Sequence, residues 1–303
     1  MQRFQKIIFK EKKRKKKKKS NKKNKNKIGR KKEEMDYHQK KDLEILFWAK
    51  KMKQHFHFTS IFIVDNLEKL EKYLTSAKIR ITVDQLMKDT LHFERVWGRI
   101  YNSLDPMEEI EERLPLLIKT YRFNLGMATL FKKAGIPCAP ALFEHMSGEV
   151  VYLLESIINE SWSYETEMAW WAQEHAENLN FINCELPRLL EFKKLLNADG
   201  LKKFPEMAKM FIENKKLANK FMEIKKSIEK REEGGQQNIT SEIYHEMMRA
   251  KIVHLNGIKS LMKKLKTLPL SEKNRSIVYQ ILNHEHSEAV FAFARLRQPM
   301  TFI

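Results

Sequence analysis

Apolar residues recur at spacings of three and four along almost the whole chain, and the strict alternation of a strand is nearly absent. That pattern predicts amphipathic helices and an all-α fold. In order, it predicts helices from Lys41 to about Val64, a short one capped by Asn66 through Ser76, Thr82 to Leu104, about Glu108 to Lys133 with Pro115 marking a kink or restart, and Pro140 to Ile158. A second set follows: Ser163 to about Cys184, Pro187 to Leu196, Phe204 to about Arg231, Thr240 or Ser241 to about Leu265, and Ser271 to just before Pro299. Asp105-Pro106, Gly135-Ile136-Pro137 and the polar loop Glu233 to Asn238 are the breaks, because proline cannot continue a helix and glycine ends one cheaply. Each half then holds four long helices and a short one after the first, the content of a four-helix bundle.

The two halves also match residue by residue. Leu142-Phe143-Glu144-His145-Met146-Ser147-Gly148-Glu149 returns as Ile281-Leu282-Asn283-His284-Glu285-His286-Ser287-Glu288, with both His and both Glu at one constant offset of 139 positions. Glu44, Trp48, Ala49 and Phe58 align with Glu167, Trp171, Ala172 and Phe181 at an offset of 123, and Gly126, Leu130, Lys132 and Lys133 with Gly257, Leu261, Lys263 and Lys264 at 131. The order is kept, and the offsets differ only by residues inserted between helices. This predicts an internal duplication of one domain, with residues 35–161 as the first copy and 162–303 as the second; the unit is too long for a solenoid repeat.

Charge changes the picture at one end only. Residues 1–34 carry eighteen Lys/Arg against three Glu, +15 of the chain's +19, which leaves +4 for residues 35–303. A run such as Lys15 to Lys19 cannot bury apolar surface, so this tail is expected to be disordered. Three readings stand beside each other: a nucleic-acid-binding arm, since clustered cations release counterions from phosphates; an inert solvated tail; and translated leader sequence ahead of Met35. The two cysteines, Cys138 and Cys184, suggest no disulfide framework and a cytoplasmic location. No apolar run reaches the ~20 residues that span a bilayer.

The candidate chemistry sits on the apolar stripes. A His and a Glu four apart lie about 40° apart around a helix and ~6 Å along it, so each His-x-x-x-Glu pair can face one point. On the first helix of the first half, Glu44 and His55 share a face; the second half offers Glu167, with Asn178 at the position of His55 and His175 one turn earlier. The candidate metal ligands are therefore Glu44, His55, His145 and Glu149 in the first half and Glu167, His175, His284 and Glu288 in the second. Imidazole with carboxylate suits Fe, Mn or Zn, and two His with one carboxylate and open positions suits non-haem iron. The same residues also make a hydrogen-bonded polar network without any ion. Phosphate-binding Gly-rich loops, Gly-x-Ser-x-Gly, Cys-x-x-Cys and His-Glu-x-x-His are all missing.

A first helix with Glu-x-x-x-Trp and a fourth helix with His-x-x-x-Glu, in tandem, resembles a bacterial family of paired ferritin-like bundles found across spore-forming Firmicutes and grouped with a clostridial spore-coat protein. The resemblance covers about residues 38–298. It implies two tandem ferritin-like four-helix bundles with a metal in the bundle interior, and no particular reaction. The chain departs from the di-iron pattern of two Glu-x-x-His motifs plus two further Glu, which argues against a ferroxidase-type centre. Two function classes follow: a metal-binding protein, or a non-catalytic structural component of the spore coat whose partners are copies of itself or other coat proteins.

Overall fold

The computed structural model describes residues 27–106, 114–158, 163–185, 205–234 and 240–297. Among them the chain forms nine helices and no strand, in two compact units, Met1–Ser161 and Trp162–Ile303. No helix among the described residues is long and apolar enough to cross a membrane. The predicted helix over Pro187–Leu196 and residues 1–26 of the basic tail lie outside the described residues.

In the first unit α1 (Lys27–Asp65), α3 (Val83–Tyr101), α4 (Leu114–Lys133) and α5 (Ala139–Ile158) are the long helices, and α2 (Leu67–Ser76) is the short one. α1 starts inside the segment expected to be disordered; Lys and Glu are good helix formers. Ile45, Trp48, Met52, Phe56 and Ile63 form the buried stripe of α1, at the spacing a helix needs to keep one face inward. α1 packs against α3 and α5, and α4 packs against α5. Phe56 stacks on Phe93 of α3 at 5.0 Å, Phe131 of α4 meets Phe143 of α5 at 5.2 Å, and the buried Trp97 donates its indole N–H to Thr120 Oγ1 at 3.2 Å.

The helix ends follow from local chemistry. Thr82 caps α3 by accepting from Gln85 N at 3.1 Å. α4 ends in a Schellman turn: Gly135 sits at φ +66°, its N–H reaches Lys132 O, and Ile136 N–H reaches Phe131 O at 2.9 Å. One expected cap is different. Asn66 precedes α2, but its side chain donates back to Phe62 O at 2.9 Å and so closes the end of α1.

The second unit has α6 (Tyr164–Glu185), α7 (Pro205–Glu233), α8 (Ser241–Leu265) and α9 (Glu272–Leu296). α6 packs on α7 and α9, and α8 lies against both α7 and α9. Ser163, Thr240 and Ser271 cap α6, α8 and α9 through Thr166 N, Ile243 N and Asn274 N. Arg275 ties down the loop before α9 by donating to Leu268 O and Leu270 O, both at 3.1 Å. Ile182, Ile258, Leu261, Val278 and Leu282 form the core at that end. Neither Cys138 nor Cys184 is a free thiol, whereas the sequence suggested no disulfide framework.

Candidate metal centre

In the first unit, α1 supplies His55 and α5 supplies His145 and Glu149, all three buried. His55 Nδ1 lies 3.0 Å from Glu149 Oε2, and His145 Nε2 lies 3.6 Å from Glu149 Oε1. The two imidazole centroids are 6.2 Å apart at an interplanar angle of 72°. One carboxylate therefore stands between two imidazoles that come from different helices. Two donors at right angles, each ~2.1 Å from an ion, are ~3 Å apart, so the His55–Glu149 spacing fits a pair of neighbouring ligands and the His145–Glu149 spacing is somewhat longer.

Glu44 does not join that group. It is buried on the stripe of His55, as expected. Eleven residues of helix, however, place it about 16 Å away along the axis. Sharing a face is not sharing a site, and the expectation that Glu44 and His55 serve one ion is corrected on that ground.

The second unit is built differently. His284 Nε2 lies 2.8 Å from Glu288 Oε1, and Asn178 of α6 donates to Glu288 Oε2 at 2.8 Å. Glu174, also on α6 and buried, brings a carboxylate oxygen within 4.8 Å of one of Glu288's. Buried His and Glu residues that could hold a metal ion are thus present among the described residues.

Two expected ligands of the second unit lie elsewhere. Glu167 Oε1 accepts from Arg295 Nε at 2.8 Å, a pair that joins the start of α6 to the end of α9. His175 turns toward α7 and α8: its ring lies 5.2 Å from Phe221 and 5.0 Å from His254. The reason is helix phase. At 100° per residue, Glu174 stands 40° from Asn178, whereas His175 stands 60° away on the other side. Glu174 is the residue that sequence reasoning missed, and its spacing of four before Asn178 and seven after Glu167 is the signal that finds it.

Around His175 the charge balance is unusual. Burial holds its proton affinity well below the ordinary value, helped by Lys251 and His254 and opposed by Glu288. Burial, followed by Lys251, lowers His254 to about 3. Lys251, also fully buried, has its amine pushed well below its ordinary range by desolvation, against the pull of Glu167. His57, half exposed, faces Glu94 across α1 and α3 at 3.9 Å.

No known protein family, curated protein or solved structure matches the chain.

Proposed function

We propose that this chain is a metal-binding protein of paired ferritin-like bundles, with the ion of the first unit held by His55, His145 and Glu149. The observation that carries the reading is the fully buried Glu149 with an imidazole nitrogen near each of its oxygens. An isolated carboxylate is costly to bury, and a divalent cation shared with two neutral imidazoles compensates it. Two His and one carboxylate leave coordination positions open, which favours Fe, with Mn and Zn as the other candidates. The tandem arrangement is supported by matching pairs inside each unit: Trp48 meets Tyr152 at 5.3 Å and Trp171 meets Phe291 at 6.0 Å, at the same offsets of 123 and 139 that the sequence repeat uses.

The second unit favours a different reading. Glu288 already has Asn178 on one oxygen and His284 on the other, both at hydrogen-bonding distance. An amide replaces the imidazole of the first unit there, so we read this group as a structural polar network that binds metal weakly.

Elemental analysis of protein purified without a nickel column tests the proposal. About one Fe, Mn or Zn per chain is expected, lost in the His55→Ala/His145→Ala double variant with helix content retained. Metal-free protein that self-assembles would turn the assignment toward the structural, spore-coat class. Metal content unchanged in the double variant would remove the first-unit site.

A further inference from the structure

α7 and α8 leave between them a cavity of about 320 Å³. Its apolar walls include Met210, Leu217, Val253 and Leu261, and the buried polar side chain that reaches it is His254. We propose that this cleft binds a small organic carboxylate, its apolar body against those walls and its head group on His254. This site shares no residue with the metal centre and does not depend on it.

Neither ring nitrogen of His254, neither ring nitrogen of His175 and not the Lys251 amine has a hydrogen-bond partner among the described residues, although all three side chains are buried. Leaving a buried polar group unsatisfied costs about 1–3 kcal/mol, and here three such residues stand together. His175 and His254 are 5.0 Å apart between ring centroids, and Lys251 lies one turn before His254 on α8 with its amine 5.7 Å from the Trp171 ring. A carboxylate brings hydrogen-bond acceptors to nitrogens that lack them. A cation or a metal would meet the opposite: the Lys251 amine and a second histidine, His286, also act on His254. The acids that act on this group are Glu288, already engaged by Asn178 and His284, and Glu167, already paired with Arg295.

The rim agrees with the floor. Lys209 and Lys264 stand at the opening with Glu213, whose carboxylate pairs with Lys216 at 3.4 Å. Gly257 forms part of the wall, and a Cβ added there meets nothing within 4 Å. The absence of a side chain at Gly257 keeps the cleft open.

The test is titration of the full-length protein with hexanoate, followed by calorimetry, with hexan-1-ol and hexylamine as neutral and cationic controls. Hexanoate should bind at least tenfold more tightly than either. His254→Leu should weaken hexanoate at least tenfold. Gly257→Leu should do the same by filling the cleft while leaving His254 in place; since it replaces glycine in a helix, it also keeps the test decisive if His254→Leu misfolds. Hexanoate binding no tighter than hexan-1-ol, or unaltered in folded Gly257→Leu, would overturn the proposal.

Discussion

His55 and Asn178 do the same job in their two units: each reaches from the first long helix to the buried carboxylate on the last. His55 Nδ1 lies 3.0 Å from Glu149 Oε2, and Asn178 Nδ2 lies 2.8 Å from Glu288 Oε2. They stand at the offset of 123 positions that separates the aligned first helices. The difference between imidazole and amide is then one chemical difference between the two candidate centres, and the carboxylate of Glu174 is another.

Exchanging them should exchange the metal affinity. Asn178→His gives the second unit two imidazoles and a carboxylate, and metal content should rise by up to one ion per chain. His55→Asn should lose the ion of the first unit. Elemental analysis of both variants beside the wild type reads the outcome; equal metal in all three would show that these positions do not set affinity.

Most of the helix plan was legible because stops and caps are local chemistry. The Gly135 turn and the hydroxyl caps at Thr82, Ser163 and Ser271 depend only on neighbouring residues. The ligand sets were harder because they need both angle and height on a helix. Glu44 had the right angle and the wrong height; His175 had an imidazole at the wrong angle, while Glu174 beside it had the right one. The cluster of Lys251, His175 and His254 draws on two helices that meet only in the fold, and a lysine on an apolar stripe ordinarily reads as a stem that carries its charge out to water. Here the amine stays inside.

Glu167 is a further test of the site's composition. Glu167→Gln should leave metal content unchanged, because its carboxylate is taken by Arg295. Stability should fall by about 0.5–1 kcal/mol, the scale of a partly exposed ion pair, measured as a shift in the urea midpoint. Loss of metal in this variant would restore Glu167 as a ligand.

Acid should destabilise the second unit through His254. The folded protein holds this imidazole neutral to about pH 3, whereas the unfolded chain protonates it near its ordinary 6.5. Below about pH 6.5 the unfolded state therefore binds the extra proton, and stability falls as pH drops toward about 3, at no more than ~1.4 kcal/mol per pH unit for one proton. His254→Leu should flatten that slope between those limits. Urea melts of wild type and variant at pH 6.5, 5.5 and 4.5 measure it, and parallel slopes would show that His254 is not the group responsible.

Lys251 makes the opposite end of the pH scale informative. Its amine is buried without a hydrogen-bond partner among the described residues, and its proton affinity is depressed by desolvation. Methionine keeps the length of the stem and removes the group that is costly to bury, so Lys251→Met should stabilise the protein at pH 7 by on the order of 1–3 kcal/mol. The sign of the pH effect follows from the same shift. Between the depressed folded value and the ordinary 10.5, the unfolded chain holds a proton on Lys251 that the folded chain does not, so wild-type stability rises with pH across that window. The variant lacks this contribution, and its advantage should shrink as the pH approaches 10.5. The same change should weaken hexanoate, because it removes a hydrogen-bond donor one turn before His254 on α8; the buried amine is then a stability cost retained for binding. Urea unfolding at pH 7, 8.5 and 10, with a hexanoate titration at pH 7, tests all three parts. A variant less stable than wild type at pH 7, or one whose advantage is independent of pH, would show that the amine is not held neutral in the interior.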